Sequence, residues 1–144
     1  MKAEKTNELH IKIPAISQNE GVCRSLVSSF VAQLDPTIDE LADIKCSVSE
    51  AVTNCIVHAY RGRRDGLIYI SVRVYTGRLI RIEVRDCGIG IDDIARAREP
   101  LFTTDPGGER SGMGFSVMES FMDSLHVTSK PGRGTKVVMK KRLS

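Results

Sequence analysis

The sequence predicts a two-layer α/β sandwich in which helices cover one face of a mixed, mostly antiparallel sheet. Two segments, Leu67–Tyr75 and Leu79–Asp86, alternate apolar and polar residues, and Thr76-Gly77 between them predicts a hairpin turn. One-sided alternation is typical of an antiparallel sheet with one covered face and one solvated face. Helical periodicity occurs in blocks outside this hairpin, so the helices can pack together on the covered face.

One strand and one helix open the chain. Residues 8–15 alternate apolar and polar side chains, which predicts an edge strand that ends at Pro14. Ser17 and Glu20 have the spacing of a capping box. The apolar residues that follow recur at helical spacing and predict a helix over residues 18–34.

A second, longer helix comes before the hairpin. Thr37 and Glu40 again have the spacing of a capping box, and the periodic pattern that follows extends toward Tyr60. The elements predicted after the hairpin are a short helix over 92–99, a Gly-rich loop over 100–111, a helix over 112–123, and a hairpin over 125–143 that turns at 131–134.

Length and composition indicate an ordinary globular protein. The 144 residues suffice for one domain over residues 1–144, with 41% hydrophobic and 27% charged residues. No stretch reaches the ~20 apolar residues of a membrane span, and the polar start is unlike a signal peptide, so we expect a cytoplasmic protein. The net charge of +3 is too small by itself to indicate a polyanionic partner. The four cysteines lack metal-site spacing, and we expect reduced thiols.

Glu50 and Asn54 are candidate site residues on the second predicted helix. They lie four residues apart and stack on the face opposite the apolar one. Thr53 and Val57 interrupt this polar face, which is typical of a cavity wall; a solvated helix face is the alternative. An amide oxygen beside phosphates suits Mg²⁺, so Asn54 is a candidate metal ligand. Glu50 could orient or deprotonate a hydroxyl or water that attacks a γ-phosphate.

Asp86, Gly88 and Gly90 form a second candidate site where the strand Leu79–Asp86 ends. The glycines allow backbone angles that side chains forbid, and they let a planar ring approach closely. A carboxylate at this point can accept a hydrogen bond from an exocyclic amine. The alternative is an ordinary turn at the end of a strand.

Glycine-rich residues 107–114 precede a strongly apolar helical pattern. Free backbone amides and the helix dipole favour a phosphate at such a helix start. The glycines would let the loop fold over a nucleotide as a lid, and Arg110 is placed to contact a γ-phosphate. Taken alone, this segment could also be a flexible loop that ends in a helix cap. The sequence contains neither a P-loop nor the three glycines of a Rossmann turn.

Taken together and in this order, four segments resemble the nucleotide site of the GHKL ATPase and kinase superfamily: residues 49–60, 85–90, 109–114 and Gly134-Thr135. The segments 100–104 and 109–115 are similar to one branch of it, the sporulation anti-sigma factors that are serine-protein kinases. The resemblance implies the Bergerat ATP-binding fold, protein-serine kinase activity, and the ligands ATP and Mg²⁺.

The resemblance also implies roles for individual residues. Glu50 and Arg110 would be catalytic, Asn54 would hold Mg²⁺, and Asp86 would bind the adenine amine. The residues implied to contact the nucleotide are Asn54, Asp86, Gly88, Gly90, Thr104, Ser111, Gly112, Gly114 and Thr135. Cys87 departs from the polar or small residue expected in its segment, which puts the packing of that turn in doubt.

Two protein partners follow from the resemblance. The chain would bind and inhibit a sporulation RNA polymerase sigma factor of the sigma F type. It would also phosphorylate an anti-anti-sigma protein on serine, which inactivates that antagonist. A homodimer is expected, without direct contact to nucleic acid or membrane. Glu20 and Arg24 match the partner-binding region of the family; the alternative is an ordinary capping residue and an exposed arginine.

Other classes of protein share the same type of nucleotide site. A histidine-kinase catalytic domain and a topoisomerase-type ATPase are disfavoured, because the sequence has no room for a phospho-acceptor helix or a transducer domain. A stress-response anti-sigma kinase of the sigma B type is the alternative within the family. A binding module that holds ATP without phosphotransfer is the alternative from another class, and the presence of Glu50 argues against it.

Overall fold

The computed structural model describes residues 2–99 and 114–144. Its sheet contains strands β1 (Lys5–Pro14), β2 (Leu67–Tyr75), β3 (Leu79–Asp86), β4 (Ser124–Lys130) and β5 (Gly134–Arg142). Its α-helices are α1 (Gln18–Ala32), α2 (Ile38–Asn54), α3 (Ile94–Ala97) and α4 (Gly114–Phe121), and a π-helical segment, Cys55–Ala59, continues α2.

The five strands form one sheet in the order β1-β2-β3-β5-β4. All four pairings are antiparallel, so the described strands include no parallel pair. Buried and partly exposed residues alternate along β2 and β3, and the buried ones join side chains of the helices in one core. The predicted two-layer α/β sandwich is confirmed.

The core fixes α2 over the sheet. Its largest fully buried side chains come from α1, α2, α4 and the three strands β2, β3 and β5: Val27, Val31, Ile44, Val48, Val52, Ile68, Ile70, Val72, Ile80, Ile82, Met118 and Met139. Full burial of each such side chain contributes about 1.5–3 kcal/mol relative to exposure. The polar face of α2 is thereby held at a fixed distance from the ends of the strands.

The start of α1 differs from the prediction. Ser17 has helical backbone angles (φ −59°, ψ −33°), and its side chain makes no capping hydrogen bond. A capping box needs an extended N-cap residue and a carboxylate that reaches back to it. Here the Glu20 carboxylate is engaged by Ser49 and Arg24 instead, so the predicted capping box is wrong. The helix also ends at Ala32, two residues before the predicted end.

The start of α2 agrees with the prediction. The Glu40 amide donates to Thr37 Oγ1 at 3.1 Å, and the Thr37 amide donates to Glu40 Oε1 at 2.8 Å. The helical path continues to Ala59, next to the predicted end at Tyr60, but its last five residues are π-helical. The sequence did not predict this change of helix type.

β2 and β3 have the predicted bounds, while several other elements differ from theirs by a few residues at one or both ends. α3 begins after Asp93, whose carboxylate accepts a hydrogen bond from the Arg96 amide at 3.1 Å, and it has four residues. β1 begins at Lys5, three residues before the predicted start, and lies at the sheet edge as predicted. The predicted Gly-rich loop, residues 100–111, and the first two residues of the predicted last helix lie outside the described residues. None of the described helices is long and apolar enough to cross a membrane.

Candidate functional site

Asp86 is buried at the end of β3, with 6% of its surface exposed. Its Oδ1 accepts hydrogen bonds from the Gly88 amide at 2.9 Å and the Thr135 amide at 3.2 Å. Burial raises the pKa of the Asp86 carboxyl, and the Gly88 amide, the Cys55 thiol and the Thr135 amide oppose that rise. The carboxylate is therefore held in one orientation by groups from three segments.

Close backbone approach explains the glycines around Asp86. A Cβ on Gly88 would overlap the carbonyl oxygen of Ala59 in the π-helical segment. A Cβ on Gly134 would overlap the carbonyl oxygen of Asp86 itself, and the φ of Gly134 is +118°. The backbone of the predicted turn therefore packs in direct contact with the π-helical segment on one side and with the start of β5 on the other.

Tyr60 links these same segments, and the sequence did not identify it as a site residue. Its hydroxyl accepts a hydrogen bond from the Cys87 amide at 2.7 Å and donates one to the Leu67 carbonyl at 2.6 Å. The Ile89 amide donates to the Ala59 carbonyl at 3.0 Å. Its position directly after the predicted polar helix face was the only hint in the sequence that Tyr60 belongs to the site. That hint was not sufficient, because the contacts of Tyr60 depend on the tertiary fold.

Cys87 does not disturb the turn. Its side chain is exposed and lies 3.7 Å from an Arg85 guanidinium nitrogen, while its backbone amide makes the contact with Tyr60. The exposed Cys87 side chain thus leaves its backbone amide free to bind Tyr60 and hold the turn.

Ser129 is a second polar residue of this site that the sequence did not single out. The Ile91 amide donates to its Oγ at 2.8 Å, and the Ser129 hydroxyl donates to the Gly134 carbonyl at 2.9 Å. The Oγ also lies 2.8 Å from Thr135 Oγ1. Ser129 therefore connects the turn after β3 to the residue that follows Gly134.

Glu50 and Asn54 lie together beside the start of α4. A Cβ built on Gly114 would be 3.2 Å from Glu50 Oε2 and 3.4 Å from both Asn54 side-chain atoms Oδ1 and Nδ2. Both side chains are partly exposed, while Thr53 between them is 5% exposed. The structure thus brings the candidate site residues Glu50, Asn54 and Gly114 to one place. Thr104, Arg110, Ser111 and Gly112 lie outside the described residues.

Glu20 and Arg24 form a hydrogen-bond network with α2. Arg24 Nη1 donates to Glu20 Oε1 at 3.1 Å and to Ser49 Oγ at 3.3 Å, and the Ser49 hydroxyl donates to Glu20. The three residues line a groove of about 500 Å³ that Glu50 also lines. Glu20 is therefore not a capping residue, while Arg24 makes both contacts with 42% of its side chain exposed. Both lie next to the predicted phosphate end of the site.

Comparisons with known proteins agree with this geometry. Residues 13–141 match the family model described as a histidine kinase-like ATPase domain. The chain is 53% identical over 138 residues to the anti-sigma F factor of Bacillus velezensis, covering 96% of this chain and 94% of the relative. It is 53% identical to the anti-sigma F factor of Clostridium beijerinckii, covering 96% of each chain.

Solved structures share the fold at lower identity. The RsbU and RsbW domains of a Mycobacterium tuberculosis protein superpose with a TM-score of 0.70 at 20% identity, covering 96% of this chain and 33% of that one. The histidine kinase domain of a blue-light-activated kinase from Erythrobacter litoralis superposes with a TM-score of 0.56 at 22% identity, covering 91% of this chain and 62% of that one.

Proposed function

Because the chain belongs to the histidine kinase-like ATPase family, in which its curated relatives are anti-sigma F factors, we propose that it is an ATP-dependent anti-sigma serine kinase. It binds and inhibits an RNA polymerase sigma factor of the sporulation type. It also transfers phosphate from ATP to a serine of an anti-anti-sigma protein, which inactivates that antagonist. The identity of 53% to two relatives named anti-sigma F factors favours this assignment over the stress-response alternative.

The observation that carries the nucleotide assignment is the held carboxylate of Asp86. Two backbone amides orient the carboxylate through Oδ1, and the group keeps acceptor capacity on its second oxygen. A buried acceptor of fixed direction suits the exocyclic amine of adenine. Gly88 packs directly against the Ala59 carbonyl and Gly90 against the Lys130 carbonyl, which fixes the turn beside Asp86, and the Thr135 amide contacts the same carboxylate.

Asn54 and Glu50 fit the phosphate end of such a site. The described residues contain no group of three or more His, Cys, Asp or Glu side chains that could hold a metal ion. Mg²⁺ is commonly bound by one or two protein oxygens together with substrate phosphates and waters, so the amide oxygen of Asn54 would suffice as the protein ligand. When bound, Mg²⁺ supplies charge neutralisation at the phosphates.

Glu50 is the candidate general base that accepts the proton of the attacking hydroxyl. Its carboxylate Oε2 points toward Gly114 at the start of α4, whose amide end favours negative charge. In this position it can orient a serine hydroxyl and accept its proton. The roles of Arg110 at the γ-phosphate and of Thr104, Ser111 and Gly112 around the nucleotide rest on the resemblance to the family.

The groove beside Glu50 is the proposed surface for the protein partners. Glu20 and Arg24 line it together with Ser49, so a partner bound there would lie next to the phosphate end of the nucleotide site. We include a homodimer in the proposal, as the family resemblance implies. The strands from Lys5 to Arg142 form one sheet, which supports a single ATP-binding domain. A cytoplasmic location belongs to the proposal, because an RNA polymerase sigma factor acts there.

A phosphotransfer assay tests this proposal. The purified chain is incubated with radiolabelled ATP, Mg²⁺ and candidate anti-anti-sigma proteins, and the phosphorylated residue is mapped. We expect label on one serine of one candidate, and a parallel binding assay should detect a complex with a sigma factor. Binding of ATP without transfer to any candidate would instead support the ATP-holding binding module.

A further inference from the structure

We propose that Ser129 is a positioning residue that determines base specificity. By fixing the direction of the Thr135 hydroxyl proton, it makes Asp86 and Thr135 both present acceptors to the base, which selects 6-amino purines over 6-oxo purines. This inference rests on the proposed nucleotide site at Asp86 and deepens it.

The hydrogen bonds around Ser129 determine where each proton lies. A serine hydroxyl has one hydrogen to donate and two lone pairs that can accept. The Gly134 carbonyl oxygen can only accept, so the Ser129 hydrogen points to it over 2.9 Å. One lone pair accepts the Ile91 amide at 2.8 Å. The contact of 2.8 Å between Ser129 Oγ and Thr135 Oγ1 must then be donated by Thr135.

The Thr135 hydroxyl therefore has only lone pairs left for a ligand. Thr135 is next to Asp86, because its amide donates to Asp86 Oδ1 at 3.2 Å. A carboxylate and a hydroxyl oxygen whose proton is directed away both accept hydrogen bonds. The 6-amino group of adenine has two hydrogens that such acceptors can bind. The 6-oxygen of hypoxanthine or guanine is itself an acceptor and would stay unpaired.

Substituting Ser129 tests this with a matched pair of variants. Thr and Val have nearly the same shape, so Ser129→Thr keeps the hydroxyl and Ser129→Val lacks it. The probes are ADP and IDP, which carry a 6-amino and a 6-oxo purine, and calorimetry measures both dissociation constants. Thr128→Val on the exposed side of the same strand is the control for a general effect of the substitution.

We expect the wild type, Ser129→Thr and Thr128→Val to bind ADP roughly 10- to 100-fold more tightly than IDP, as the cost of an unpaired buried acceptor indicates. In Ser129→Val the Thr135 hydroxyl can turn and donate to the 6-oxygen. The preference for ADP should then fall several-fold, mainly because IDP binds more tightly. If Ser129 had only a structural role, its loss would weaken the binding of ADP and IDP equally and leave the ratio of their dissociation constants unchanged.

An unchanged ratio in Ser129→Val would overturn the inference. If Ser129→Val does not fold, the pair Thr135→Ser and Thr135→Val gives the same comparison at the hydroxyl itself, and equal ratios in that pair would also overturn it. Failure of the nucleotide site is distinguishable, because the wild type would then bind neither nucleotide, or Asp86→Asn would bind both as the wild type does.

Discussion

The Tyr60 hydroxyl accepts a hydrogen bond from the Cys87 amide at 2.7 Å, which joins the end of the π-helical segment to the turn that follows β3. The same hydroxyl donates to the Leu67 carbonyl at the start of β2, so one side chain ties three segments together. Tyr60 is 3% exposed, and burial raises the pKa of its hydroxyl. The contact makes the position of the turn depend on the end of the helix.

We expect Tyr60→Phe to lower the free energy of unfolding by about 1–3 kcal/mol, since it leaves the Cys87 amide and the Leu67 carbonyl without their partner. It should also weaken ADP binding, because the turn that carries Asp86 loses a fixed point. Urea denaturation and calorimetry measure the two effects. Tyr75→Phe at the other end of β2 is the control, and equal effects of the two variants would contradict this role of Tyr60.

Local sequence patterns predicted most of the fold. The alternation in β2 and β3 has period two because each strand buries one face, and the Thr37 capping box involves residues three apart. Such signals depend on neighbours in the chain and therefore appear in the sequence. They were sufficient to predict the sandwich and to place Glu50 with Asn54, and Asp86 at the end of its strand.

Contacts between distant segments explain what the sequence did not predict. Glu20 has the capping-box spacing, but Ser49, 29 residues away, and Arg24 engage its carboxylate. The π-helical turn coincides with the approach of Ile89, whose amide donates to the Ala59 carbonyl. Ser129 and Ile91 are 38 residues apart, and no pattern within either segment indicates that they meet.

Glu50→Gln should separate catalysis from nucleotide binding. The amide keeps the size of the side chain but cannot accept the proton of the attacking hydroxyl. We expect phosphotransfer to fall by at least ~10²-fold while ADP affinity stays unchanged. Asn54→Ala should in contrast weaken Mg²⁺-dependent nucleotide binding. Full kinase activity in Glu50→Gln would show that another group positions the hydroxyl.

Gly114→Ala should impair phosphotransfer without destabilising the protein. Alanine has the higher helix propensity, but Gly114 is the first residue of α4, so we expect the free energy of unfolding to change by less than about 1 kcal/mol. Its Cβ would lie 3.2 Å from Glu50 Oε2 and displace that carboxylate. Activity should fall by roughly tenfold or more, as small misplacements of reacting groups do.

The matched control is Gly21→Ala in α1. There the nearest atom to the new Cβ is Arg24 Nη2 at 3.7 Å, an ordinary contact. We expect this variant to gain helix stability and to retain full activity in the same phosphotransfer assay. Equal loss of activity in both variants would mean that crowding at Glu50 is not the cause.

Arg24→Ala should weaken the sigma factor complex without changing ADP affinity. The substitution removes the cation that holds Glu20 and Ser49 in the groove, and arginines in such positions often contribute strongly to protein interfaces. We expect the dissociation constant of the complex to rise by roughly tenfold or more. Arg73→Ala on the other face of the sheet serves as control. An unaffected complex would place the sigma factor elsewhere on the chain.

Asp86→Asn should abolish or severely weaken ADP binding and yet preserve the stability of the nucleotide-free protein. The adenine amine loses its charged acceptor, which costs roughly ten- to a hundredfold in affinity.

Burial raises the Asp86 pKa above the value of 3.8 that applies to an exposed group. The folded state thus binds this proton more tightly than the unfolded state. The stabilisation from the protonated carboxyl is complete below pH 3.8 and is lost as pH rises through the folded pKa. At about pH 7 the ionised group therefore costs folding free energy that asparagine does not. Urea denaturation of both proteins between about pH 7 and pH 4 should show Asp86→Asn at least as stable at the higher pH, with its advantage shrinking as pH falls. A variant that is much less stable at neutral pH would mean that the carboxylate stabilises the fold.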